Sequence, residues 1–243
     1  MISLTAVRFA GSFAFALTFA VLLVWIRRIP EAKRRYCYPV VGIVGFAAVT
    51  TALGALGIGT IAGTTLDVPG MVDDLITYAV LWALAAVLAG ESRRMVGLFA
   101  VIPAAQVIAF NVAAVVGGLV GLVGLFLVVA GHGVLAYLLF GPVWTHAQQL
   151  PDRQRLLHWK ARNLLLFMIG MLIVFALLSV ASVFDEFVSG ALGLYVDALI
   201  RIGFAGFLFA NVDAIAVDDA GDDSLMGSGA STVDREPSPA GGD

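Results

Sequence analysis

Charge is scarce in this sequence. Asp, Glu, Lys and Arg make up 13% of its 243 residues, about half the share of roughly 25% usual in soluble domains. The scarcity is organised into blocks. None of the four charged types occurs from Phe9 to Ile26, Tyr36 to Leu66, Leu75 to Gly90, Met95 to Pro151 or Asn163 to Phe184. Runs of that kind exclude a soluble enzyme, and at 60% apolar residues they also exclude a chain that is disordered throughout. A single cysteine, Cys37, removes any internal disulfide and any Cys-built metal site. The three histidines, His132, His146 and His158, lack ligand spacing. Gly-rich phosphate loops, paired catalytic carboxylates and nucleophile–base motifs are missing too, so no enzymatic activity is expected. A net charge of −3 gives no reason to expect nucleic acid as a partner. The lipid bilayer is the expected environment.

What remains is apolar sequence in lengths that fit a membrane. A spanning helix needs about 20 mainly apolar residues, given a rise of 1.5 Å per residue across about 30 Å of hydrocarbon. Spans are expected at about 4–26, 36–59, 73–90, 95–115, 119–144, 160–183 and 188–213. The block from Met95 to Pro151 is too long for one crossing and is divided at Gly117, Gly118, Gly121 and Gly124. Residues 1–213 thus read as an all-α, seven-transmembrane, up-and-down helix bundle, with many small residues for close packing in lipid. Residues 214–243 read as an acidic, disordered tail. Within it Asp218, Asp219, Asp222, Asp223, Asp234, Glu236 and Asp243 stand against Arg235 alone. Dense aspartate of this kind suits a salt-loving, archaeal type of host.

The basic residues set an orientation. Arg27, Arg28, Lys33, Arg34, Arg35, Arg93, Arg94, Arg153, Arg155, Lys160 and Arg162 all fall in loops on one side. The opposite loops are expected to hold Asp67, Asp73, Asp74, Asp185 and Glu186. The positive-inside bias then places the N-terminus outside and the C-terminus in the cytoplasm of a multi-pass protein of the cell membrane. The first span is not expected to be a signal peptide, because its charge follows the apolar run and the run is too long.

Two charges fall in the middle of an expected span. Asp197 and Arg201 both lie in the last helix, in LGLYVDALIRIGFAGFLF. A charge at the centre of a membrane helix costs about 2.5–3.5 kcal/mol on insertion scales, and more by simulation. Positions four apart differ by about 40° of rotation and about 6 Å of rise, so the two share one face. An intramembrane ion pair facing the bundle interior follows. Weaker polar candidates, among them Thr77, Tyr78, Gln106, Asn111, His132 and Ser179, suit ordinary packing between helices. Trp25, Trp82, Trp144 and Trp159 are compatible with interfacial belts, and Arg8 with an anchor at the outer end of the first span.

The stretch VDALIRIGFAGF resembles the last helix of the microbial rhodopsins, the bacteriorhodopsin family, where Asp, three residues, Lys, an apolar residue, Gly and Phe succeed one another. The segment LLHWKARNLLLF is similar to the basic start of that family's sixth helix. Seven spans, short loops and chain length agree with the family. The resemblance implies a bundle built to hold retinal as a Schiff base on a lysine, for ion transport. Asp197 then falls on the counterion position and Arg201 on the position of the retinal lysine.

The departures argue against that chemistry. Attack on an aldehyde needs an amine that can lose its proton, which a guanidinium does not do. The other lysines, Lys33 and Lys160, lie on the cytoplasmic side. The third span, read as ITYAVLWALAAVLAG, has no Arg, Asp or Glu, and in the sixth FMIGMLIVFALLS carries no Trp, Tyr or Pro. Covalent retinal, and hence any cofactor of that kind, is therefore not expected. Three roles stay open. The first is a non-photochemical regulatory protein acting through a membrane partner or a homo-oligomer. The second is a channel or transporter using Asp197 and Arg201. The third is a protein that binds a retinoid or carotenoid without a covalent bond.

Overall fold

The computed structural model describes residues 3–61 and 66–216. The acidic tail expected over 214–243 lies almost wholly outside the described residues. Among the described residues eight α-helices run in order: α1 (Leu4–Ile26), α2 (Glu31–Ala55), α3 (Val68–Leu88), α4 (Arg93–Val116), α5 (Gly118–Phe140), α6 (Pro142–Ala147), α7 (Asp152–Val180) and α8 (Glu186–Asn211). A 3-10 turn, Val212–Ala214, follows. The short α6 continues α5 after a break at Gly141, so the described residues contain seven helical segments long and apolar enough to cross a membrane.

Polar residues at the helix starts explain several of these limits. Ser3, Asp67, Ser92 and Asp185 each accept a hydrogen bond from a backbone N–H in the first turn of α1, α3, α4 and α8, respectively. At α3 this cap, with Pro69 in the first turn, starts the helix five residues before the span expected from 73. Asp73 and Asp74, expected in an outer loop, are thereby inside a membrane helix. The α7 helix likewise starts at Asp152, eight residues before the span expected from 160.

Helices adjacent in sequence pack against one another, and α8 closes the ring by packing on both α1 and α7. Further contacts of α2 with α8 and of α3 with α7 fill the middle. Side chains that are completely buried there include Phe15, Trp82, Phe99, Leu135, Phe204 and, alone among charged residues of its size, Arg201. Trp82 therefore belongs to the core and not to an interfacial belt. The other three tryptophans are at least partly exposed. Lipid-facing positions such as Phe13 and Leu119 remain exposed and apolar, as a bilayer requires.

Glycine governs the α4–α5 connection. Gly117 has φ +65° and Gly118 φ +54°, values that L side chains adopt only with strain. Further along, a Cβ at Gly124 would lie 2.6 Å from the carbonyl oxygen of Ala109, so glycine is what lets α5 approach α4. Nothing lies within 4 Å of a Cβ at Gly117, so a substitution there meets conformational strain without collision. Gly117→Val should lower unfolding stability by about 1–3 kcal/mol, read as a reduced thermal midpoint in detergent with helical content unchanged.

Candidate functional site: a guanidinium among three carboxylates

The site is assembled from two helices by the same spacing. On α8, Asp197 and Arg201 are one turn apart; on α3, Asp73 and Thr77 form one such pair and Asp74 and Tyr78 another. The Arg201 guanidinium is fully buried. Its Nη2 donates to Asp73 Oδ2 at 2.8 Å and to Asp74 Oδ1 at 3.0 Å. Its Nη1 is in contact with Asp197 Oδ1. Thr77 donates to the second oxygen of Asp73 at 3.4 Å, and the Tyr78 hydroxyl reaches Asp197 Oδ1 at 3.5 Å. The Tyr78 ring centroid lies 6.0 Å from the guanidinium carbon.

The two residues named from sequence are together here, but they are half of the constellation. The third helix was expected to carry no acid; it supplies two, because it begins at Val68. The signal was present in the sequence: Asp67-Val68-Pro69 is an N-cap followed by proline, which puts Asp73 and Asp74 in the second turn. Cutting spans at the first charge conceals such residues.

Three carboxylates facing one guanidinium leave the cluster formally two charges negative. The ligand-type oxygens of Asp73, Asp74 and Asp197 lie within 4.8 Å of one another, a spacing that suits a cation, and the cation held there is Arg201 itself. The exposed side of the cluster is unequal. The Asp73 side chain is 5% exposed, Asp197 21% and Asp74 40%, so the surplus negative charge points through Asp74 and Asp197.

It points into a vestibule of about 360 Å³, lined in part by Arg8, Thr50, Thr51 and Asp67 and opening at the acidic end of the bundle. Arg8 ties the rim by donating to the Gly54 carbonyl at 3.1 Å, an inter-helix contact beyond the anchoring expected of it. A smaller cavity of about 130 Å³ continues inward to Trp82, Pro103 and Ile169. Both spaces share Asp74, Tyr78, Asn111 and Leu172. Past Trp82, which packs against Phe99 and the edge of His132, the completely buried Leu135, Leu139 and Leu165 occupy the core. His132 keeps a buried Nδ1 without a hydrogen-bond partner.

A second polar stripe, missed from sequence, lies towards the basic end on α7 at positions four apart. Gln154 donates to the Leu88 carbonyl at 3.2 Å, and His158 Nδ1 pairs with the Ala85 carbonyl at 3.1 Å. Arg162, grouped with loop bases by its charge, is buried, with its guanidinium 4.5 Å above Phe140 and 4.7 Å above Trp144. Of these groups, Gln154 supplies a donor to the Leu88 carbonyl, which the C-terminus of α3 would otherwise leave open.

Comparison with known proteins agrees with this architecture. No family model matches the chain. In sequence it is similar to sensory rhodopsin-2 of Natronomonas pharaonis, with 29% identity over 195 residues, covering 76% of this chain and 78% of that one. In structure it is similar to the light-driven proton pump rhodopsin of Coccomyxa subellipsoidea (TM-score 0.78, 15% identity, 86% of this chain and 98% of the other). The light-driven proton pump of Leptosphaeria maculans gives 0.79 at 15% identity, over 89% and 98%. A thermophilic rhodopsin from Rubrobacter xylanophilus gives 0.78 at 17%, over 88% and 97%. The protein is a seven-helix membrane protein with the microbial-rhodopsin fold, and its sequence is related to that of a microbial rhodopsin over three quarters of its length.

Removing the guanidinium would leave three carboxylates without their cation. Arg201→Ala should cost about 3–5 kcal/mol, the usual cost of breaking a buried pair. Asp74→Asn, at the partly solvated edge, should cost about 1 kcal/mol or less. Thermal melts of both variants in the same detergent check the order. Equal midpoints for Arg201→Ala and the unaltered protein would contradict a structural role for the cluster.

Proposed function

We propose that this protein works as an opsin-related membrane protein without a covalent chromophore, in a non-photochemical regulatory role exercised through a membrane partner. The acidic end faces outside and the basic end faces the cytoplasm, in keeping with the distribution of Lys and Arg. The observation that carries the reading is the engagement of Arg201. Its side chain stands where the resemblance puts the Schiff-base lysine, and both of its Nη atoms are taken up by carboxylates. A guanidinium cannot present the free amine that condensation with an aldehyde requires. Lys33 and Lys160 lie towards the far end of the bundle. Retinal as a covalent group therefore does not fit these residues.

Access from one side supports signalling over transport. The two spaces lead from the acidic end to the cluster and on to Trp82, and apolar side chains pack the core beyond. An ion entering at the vestibule meets surplus negative charge and then a closed wall.

A second reading rests on the inner cavity. The stretch of α7 that lacks Trp, Tyr and Pro contributes Ile169, Leu172, Ile173 and Ala176 to its lining, and an apolar molecule held without a covalent bond would sit there. At about 130 Å³ the space is smaller than the pockets of roughly 300–1,000 Å³ that hold drug-sized ligands. A retinoid or carotenoid would have to displace side chains to enter.

Incubating the purified protein with all-trans retinal, then denaturing it, should yield no retinyl adduct by mass. A denaturation-resistant adduct would overturn the proposal. Native purification separates the two readings. A co-purifying membrane protein favours the first, and an extractable polyene favours the second. Proteoliposome currents abolished by Arg201→Gln would replace both with transport.

A further inference from the structure

The basic end of the bundle carries eleven Lys and Arg residues against Glu31, Glu91, Asp152 and Asp213. Much of this charge is presented outward: Arg27, Arg28, Arg35, Arg94 and Arg153 are exposed. Among the described residues none of these five has an ion-pair partner, whereas Arg155 pairs with Asp152 at 2.7 Å. A surplus of about seven positive charges over one face attracts anions strongly at low salt.

The end of the described chain is fixed on that same face. Gln154 uses both ends of its amide. Its Nε2 donates to the Leu88 carbonyl at the end of α3, and its Oε1 accepts from the Ala216 N–H at 3.1 Å. Lys33 holds the preceding turn by donating to the Asp213 carbonyl at 3.0 Å. Ala216, the last described residue, is therefore held between the end of α3 and the start of α7. Arg94 follows the first of these closely in sequence, and Arg153 is next to Gln154 in the second.

The 27 residues from Val217 to Asp243 carry seven acids and one base, and four of the acids, Asp218, Asp219, Asp222 and Asp223, fall within the first seven positions. At about 3.3–3.6 Å per extended residue, those four stay within roughly 25 Å of the anchored Ala216. Tethering at that range gives an effective concentration in the millimolar range.

We propose that the basic end is a docking surface for the protein's own acidic segment, Asp218–Asp223, which covers Arg94, Arg153 and their neighbours. An anionic partner reaches that surface by displacing the segment. The contact is electrostatic, so ionic strength controls it. This holds independently of whether the chain binds a chromophore.

The test exploits the shortage of lysine, since Lys33 and Lys160 are the only side-chain amines. The full-length protein in dilute zwitterionic nanodiscs is treated with a carbodiimide, which joins carboxylates to amines in direct contact. At about 20 mM salt, peptide mapping should find Asp218–Asp223 joined to Lys33 or Lys160. These cross-links should disappear at about 1 M salt, where screening reaches about 3 Å. They should fall at least fivefold in the double variant Arg94→Glu, Arg153→Glu, whose changes are at exposed positions and leave the helices intact. No cross-link at low salt, or one indifferent to salt and to the reversals, overturns the proposal. A second readout needs no cross-link. Replacing Asp218, Asp219, Asp222 and Asp223 by Asn should increase co-sedimentation of the nanodiscs with vesicles of anionic lipid several-fold. Equal co-sedimentation of the two proteins would mean that lipid headgroups, and not this segment, occupy the face.

Discussion

A guanidinium buried inside a helix bundle cannot shed its charge, and this single requirement organises the structure. Arg201 is completely buried, and it is permanently protonated. The surrounding structure must bring anions to it. Asp197 does so from the same helix, and Asp73 and Asp74 do so from α3. Their positions fix how α3 and α8 face one another about their long axes, since rotation of either by a fraction of a turn would separate the charges. Thr77 and Tyr78, one turn further along α3, then hold the carboxylates. The vestibule follows from the same arrangement, because surplus carboxylate charge is tolerable only where Asp74 and Asp197 keep contact with water.

The two ends of the bundle solve opposite problems. At the acidic end, polar groups surround open space. At the basic end, they fill it. Gln154, His158 and Arg162 occupy one face of α7 and meet the terminal carbonyls of α3 and the rings of Phe140 and Trp144. An aqueous route through the basic half would require this stripe and the apolar layer around Trp82 to open together. The fold of light-driven pumps is retained here with its interior closed from one side.

Much of this was legible from composition and spacing. The first helix ends where the charge-free run ends, at Ile26, because Arg27 and Arg28 belong to the interface. The α4–α5 break falls at Gly117 and Gly118, where the backbone needs positive φ. Arg201 declared itself as interior because a lone base at mid-span has no cheap lipid-facing position. The reading failed where charge and membrane were treated as exclusive. Asp73 and Asp74 were assigned to a loop, although the capping signal at Asp67 and Pro69 already placed them on a helix. By charge Arg162 reads as a loop base, although its spacing from Gln154 and His158 marks one helical face. In each case the missing information was the identity of the partner on another helix, which a single sequence does not display.

The geometry around Arg201 also limits which residue can stand at this position. A planar group with five N–H donors spans three acids that a compact ammonium, with three donors, could not bridge in the same way. A lysine at this position would thus leave part of the cluster without a donor, its ammonium held by fewer of the three acids. The arginine acts as a staple between α3 and α8, and the residue types that either helix can carry at this level are constrained by the other.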